Sequence, residues 1–223
     1  MDLERLNELC ELFRKAGGEF CTPIEELSEK ILRVRGIIFD WDGVFHGGWK
    51  GEGQSGLFSE ADSMGINMLR YGIWRRIGKL PFMAIISGEN DKTASYFAGR
   101  EHFNAVYTGI ADKKQALDRV CEAAGISPLE VGCVFDDIND LSMVKHCGLR
   151  VQVRRLASPL FMEYTKRRGL CDYITGNPPD GHAVREFCEL FLGISGNFQE
   201  VIESRMAFDE DYQKYWKERN EVK

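Results

Sequence analysis

Residues 37–44, Ile-Ile-Phe-Asp-Trp-Asp-Gly-Val, constrain this chain more than any other stretch. Residues 36–39 are apolar without alternation, as in a strand covered on both faces of a parallel sheet. Two aspartates one residue apart follow at once. Asp40 and Asp42 therefore emerge just past the carboxyl end of a buried strand, the edge where open α/β sheets bind ligands. Carboxylates this close repel each other unless a cation or a shared proton compensates. The remaining sequence is expected to supply a sheet, further cation ligands and positive charge.

Short apolar runs recur at 81–86, 105–107, 131–135, 149–153 and 171–174. Between them lie segments with helical spacing at 60–78, 91–100, 112–124, 141–147, 158–167 and 182–192. This alternation predicts an α/β protein: a doubly wound, Rossmann-like parallel sheet with helices on both faces and no large cap domain. Two helices are expected ahead of it, over 2–16 and 23–32. Thr22-Pro23-Ile24-Glu25 reads as the second helix's start, with Thr22 as N-cap and Pro23 at the first position. Residues 46–56 hold five glycines and read as a β-hairpin flap leaving the first core strand. Gly51, Gly53 and Gly56 fit G-x-G-x-x-G, but no apolar strand leads in and no helix starts there, so a nucleotide site is not expected. The predicted organisation is an N-terminal helical extension (1–33), an α/β core (34–192) and a C-terminal helical tail (193–223). The aromatics of that tail are expected to dock on the body or on a neighbouring subunit.

A net charge of −6 argues against a nucleic-acid binder built on a broad basic face. Seven scattered cysteines form no C-x-x-C pair, so they read as reduced thiols of a cytoplasmic protein rather than zinc ligands. No run approaches the length of a membrane span.

Polar residues follow the apolar runs in order: Asp40 and Asp42, then Ser87-Gly88, Lys113 near a helix start, and Asp136, Asp137 and Asp140. Singly, each has a plain reading as a turn former, a cap or a solvated lysine. Together they crowd one sheet edge with carboxylates, which calls for a hard cation with oxygen ligands, namely magnesium. Asp40 then suits a nucleophile, because carboxylates form phospho-aspartyl intermediates. Asp42 is placed to protonate a leaving oxygen and then activate water. Ser87 suits hydrogen bonding to phosphoryl oxygens, and Lys113 offsets the negative charge that would repel a phosphate.

With Asp40-Trp41-Asp42-Gly43-Val44, Ser87, Lys113 and Asp136-Asp137-x-x-Asp140 in order, residues 34–192 resemble the haloacid dehalogenase superfamily of aspartate-nucleophile phosphatases. The likeness is strongest to its capless 3-deoxy-D-manno-octulosonate 8-phosphate phosphatase branch, through Ala61-Asp62-Ser63-Met64-Gly65-Ile66 and Ala183-Val184-Arg185-Glu186. The resemblance implies a cytoplasmic, magnesium-dependent homo-oligomer, tetrameric in that branch, acting on a small phosphorylated sugar or sugar acid. It implies Asp40 as nucleophile and Asp42 as general acid/base. Ser87, Gly88 and Lys113 would hold phosphate. Magnesium would bind Asp40, the Asp42 carbonyl and Asp136, with Asp137 and Asp140 in support. Phe135 stands where the branch has glycine and is expected to crowd the metal site or shift its backbone. Arginines usual in the branch are replaced by Glu89, Ala61 and the stretch Pro178-Pro179-Asp180-Gly181-His182, which leaves the sugar acid open. A phosphotransferase on the same scaffold and a catalytically silent binding or assembly protein are the alternative readings.

Overall fold

The computed structural model describes residues 3–50 and 56–222. Its centre is a seven-stranded sheet. β1 is Glu19–Phe20, β2 Gly36–Phe39, β3 Phe82–Ile86, β4 Ala105–Tyr107, β5 Val131–Phe135, β6 Leu149–Gln152 and β7 Tyr173–Ile174. The order is β1-β7-β6-β5-β2-β3-β4, and every pairing is parallel except β1 against β7. The chain winds outward from β2 through β3 to β4, then returns to β5 on β2's other flank. That reversal is a topological switch point, which opens a crevice at the carboxyl ends of β2 and β5.

The parallel strands read as apolar runs because both faces are covered. Ile37, Phe39, Met83, Ile85, Val134 and Val151 enter one core, shared with α1 (Leu3–Lys15), α2 (Ile24–Arg33), α3 (Glu60–Ile77), α4 (Lys92–Arg100) and α8 (Ala183–Ile194). Ile38, Ala84, Ile86, Cys133 and Phe135 enter the other, with α5 (Lys113–Ala124), α6 (Leu141–Val144) and the flank of α7 (Pro159–Arg167). The alternation follows from successive side chains pointing to opposite faces.

α3 is buried nearly all round, from Asp62 to Trp74 except Met64, because helices cover it on the side away from the sheet as well. α8 packs along it where Gly65 and Gly72 let the helices approach; a Cβ on Gly72 would overlap Leu192. α9 (Phe198–Ala207) and α10 (Glu210–Glu221) close a third core against α3, of Met68, Tyr71, Trp74, Val201, Tyr212 and Tyr215. Of the two dockings open to the tail aromatics, Tyr212 and Tyr215 take the body of the same chain.

Three local expectations change. Thr22 does not cap α2, whose N-cap is Pro23 without a side-chain bond. Its hydroxyl donates instead to Asp172 Oδ1 at 2.8 Å. β1 carries no apolar pattern, and cross-strand pairing with β7 makes it a strand. Residues 47–50 and 56–59 hold no strand, and the rest of the expected hairpin, 51–55 with Gly51 and Gly53, lies outside the described residues.

Candidate active site

Asp40 follows β2, and its backbone N–H donates to Val134 of β5 at 2.9 Å. The chain then turns tightly: the N–H groups of Val44 and Phe45 both donate to the Trp41 carbonyl, and Gly43 adopts φ +81°. A Cβ on Gly43 would overlap the Asp136 carboxylate, so glycine's freedom is needed here both for conformation and for close approach. The turn buries Trp41 against Phe45 and Phe97 and sends Asp42 back toward Asp40's side of the sheet edge.

Asp136 follows β5. Asp137 opens the short turn of residues 138–140, and Asp140 Oδ2 accepts the N–H groups of Asp137 and Asp136 at 3.2 and 3.4 Å. Asp140 Oδ1 accepts from Lys113 Nζ at 2.5 Å, and the same ammonium donates to Asp40 Oδ1 at 2.6 Å. Lys113 is almost wholly buried in the first turn of α5, which Asp112 caps through the Lys114 N–H. Burial works against its charge, yet the Asp40 and Asp140 carboxylates outweigh that and raise its pKa. Burial, then Asp140, raise the Asp40 carboxyl, against the pull of Lys113. Burial and Asp140 likewise push Asp136 up to about 6, opposed by Arg155.

Oxygens of Asp40, Asp136 and Asp140 lie within 4.8 Å of one another, and all three residues are buried. A buried set of hard carboxylate donors fits magnesium or a similar cation. A cavity of about 490 Å³ opens over them, lined also by Asp42, Gly88, Lys113, Asp137, Lys50 and Arg155. The structure thus brings Asp40, Asp42, Gly88, Lys113, Asp136, Asp137 and Asp140 together. Ser87 is fully buried beneath Gly88, with its hydroxyl accepting the Glu89 N–H at 3.2 Å, and does not line the cavity. A larger cleft of about 870 Å³, between α1, α8 and the start of α9, is lined by none of these residues.

Phe135 does not crowd the site. Its ring is fully buried in the core shared with α5 and α6, because a residue adjacent to Asp136 on a strand faces the opposite way.

Lys50 and Arg155 are not legible in the sequence as site residues, and His46, on the glycine-rich stretch within reach of substrate, reads there as a solvated turn histidine. Lys50 Nζ lies 2.7 Å from Asp42 Oδ1 and 2.9 Å from Asp91 Oδ2, while Asp91 Oδ1 caps α4. His46 Nε2 lies 3.3 Å from Asp42 Oδ1, and its Nδ1 accepts the Gly48 N–H at 3.1 Å. Burial lowers its pKa, against the pull of Asp42, which favours the neutral ring. Asp42, His46 and Asp91 also lie close enough to share a cation, and Lys50 supplies positive charge between the two carboxylates. Arg155, in the loop after β6, pairs with Asp136. The signal missing from the sequence is pattern: two of these residues lie in a glycine-rich stretch and one in an irregular loop.

No family model matches the chain. Curated relatives include the 3-deoxy-D-manno-octulosonate 8-phosphate phosphatase KdsC of Escherichia coli K12, 28% identical over 191 residues, covering 84% of this chain and 96% of that protein. KdsC of Salmonella typhi is 29% identical over 195 residues, with the same coverage. Among solved structures, the Moraxella catarrhalis 3-deoxy-D-manno-octulosonate 8-phosphate phosphatase, in complex with magnesium ion, phosphate ion and KDO, superposes with a TM-score of 0.66 at 26% identity, over 81% of this chain and 98% of that one. A HAD superfamily (subfamily III A) hydrolase from Legionella pneumophila gives 0.68 at 26% identity, over 82% and 95%.

Proposed function

Starting from homologues and structural neighbours that are haloacid dehalogenase superfamily phosphatases of the KdsC type, we propose that this chain is a magnesium-dependent phosphoric monoester hydrolase. Its substrate is a small phosphorylated sugar or sugar acid. The observation that carries the reading is the buried Asp40–Lys113–Asp140 bridge beside Asp136 at the switch point of the sheet.

Asp40 attacks the phosphorus and forms a phospho-aspartyl intermediate. Asp42, on the same turn and facing the same cavity, protonates the leaving alkoxide and then takes a proton from the hydrolytic water. Lys113 holds charge against the phosphoryl oxygens without leaving its carboxylate partners. Gly88 lies at the cavity wall above Ser87 and supplies the backbone approach to phosphate. Asp140 fixes the turn carrying Asp136 through its two backbone bonds. Asp40, the Asp42 carbonyl and Asp136 would hold magnesium, with Asp137 and Asp140 in support, and the ion when bound supplies neutralising charge for the transferring phosphoryl group. Phe135, turned into the opposite core, is no obstacle to this set, which favours an active enzyme over a silent relative. The seven free thiols suit a cytoplasmic protein, and a homo-oligomer, tetrameric by resemblance, completes the reading.

Phosphate release from a panel of sugar phosphates and sugar-acid phosphates tests it. Activity should require magnesium and fall by about 10⁴-fold or more in Asp40→Asn, by analogy with removal of other enzymes' nucleophiles. Turnover that persists in that variant would sink the mechanism.

A further inference from the structure

Three cations line the cavity, and their surroundings differ. Lys113 is buried and shared by Asp40 and Asp140. Lys50 is held by Asp42 and Asp91. Arg155 has one acidic partner among the described residues, Asp136, and about a third of its side chain is exposed in the cavity. Its Nε is buried without a hydrogen-bond partner among the described residues, so they do not fully satisfy the guanidinium where it stands. Gly43 makes room for the pair, since a Cβ there would overlap both the Asp136 carboxylate and the Arg155 guanidinium. The turn carrying Asp40 and Asp42 is thus shaped around this contact.

Asp136 also belongs to the buried carboxylate set with Asp40 and Asp140, and its Oδ2 is the oxygen that Arg155 holds. A guanidinium bonded to that carboxylate opposes a divalent cation there by its charge and by holding one of the two oxygens. On the hydrolase reading, both are wanted at one acid. We propose that Arg155 is a resident counter-ion of Asp136 which the divalent cation displaces, and that the released guanidinium then takes an oxygen of the substrate's phosphate. Its planar fork suits that anion, and its loop position lets it swing while Lys113 stays fixed. The exchange makes metal and phosphate binding mutually favourable: the metal frees the arginine, and the phosphate keeps it from returning.

Calorimetric titration with magnesium chloride, with and without inorganic phosphate, tests this on the full chain, on Arg155→Met and on Arg155→Lys. Without phosphate, Arg155→Met should bind magnesium about tenfold more tightly than the natural protein. Phosphate should raise the natural protein's magnesium affinity by roughly 5- to 150-fold, the usual range of such coupling, and raise that of Arg155→Met far less. Arg155→Lys, which keeps the charge and loses the fork, should fall between. Equal or weaker magnesium binding by Arg155→Met overturns the role of Arg155 and leaves the hydrolase reading standing. A natural protein that binds no magnesium at all overturns both.

Discussion

Gly56 shows how finely Asp42 is held. A Cβ at that position would overlap the ring of His46, whose Nε2 faces the Asp42 carboxylate. Gly56→Ala should push the imidazole onto Asp42 and lower kcat for phosphate release by at least tenfold, at about 1.4 kcal/mol per decade, with the far-ultraviolet spectrum unchanged. A variant with normal turnover would show that His46 has room to yield. Lys113 gives the opposite kind of test. Lys113→Met leaves Asp40 and Asp140 buried without their cation and should cost about 3–5 kcal/mol in urea unfolding. Magnesium should recover part of that loss by binding the freed carboxylates. At this scale Asp40, Asp42, Asp136 and Asp140 were legible, because each follows an apolar run that can only be a buried strand. Lys50 and Arg155 were not, and His46 read as a solvated turn histidine. Their importance comes from which acids they meet across the fold, and nothing periodic marks a residue that meets Asp42 or Asp136 from a loop.

Among the elements, the segment before β2 is tied down by one acid. Asp172, fully buried ahead of β7, accepts from Thr22 at 2.8 Å, Lys30 at 2.7 Å and both Nε and Nη2 of Arg150. Burial alone would raise its pKa, but Arg150, Lys30 and Thr22 more than offset that and hold it below the ordinary 3.8. A lowered carboxyl pKa contributes stability that is present above the unfolded value and lost as pH falls through the folded one. Asp172→Asn should therefore be destabilised most above pH 4, and its deficit against the natural protein should shrink in urea titrations at lower pH. A deficit independent of pH would assign the effect to packing. The long parallel elements could be read from the sequence because their apolar runs are self-sufficient evidence. β1 could not, since two half-buried residues become a strand only by pairing with β7. Thr22 illustrates the same limit: its local sequence favours a cap, and a distant buried carboxylate takes the hydroxyl instead.

For the molecule as a whole, α9 and α10 are part of the packed body. Tyr71 and Ser204 share a short hydrogen bond of 2.5 Å, the Tyr215 hydroxyl donates to Asn67 Oδ1 at 2.7 Å, and Arg219 pairs with the buried Glu101 at 2.7 Å. Ending the chain after Ile194 should expose Tyr71 and Trp74 and yield protein that binds hydrophobic dyes or aggregates, as large bared apolar patches do. A soluble, cooperatively unfolding truncation would make the tail dispensable. The docking was only half legible, because its aromatics are spaced through a strongly charged sequence.

β1 has a consequence beyond the site. A sheet ends in unpaired backbone groups that invite another chain to add a strand. Here two residues, turned antiparallel, cover the β7 edge, and Asp172 fastens the segment that carries them. The opposite margin is β4, three residues long. The segment ahead of the α/β core thus replaces the β7 edge with one of only two residues, and a short edge offers little template for another strand.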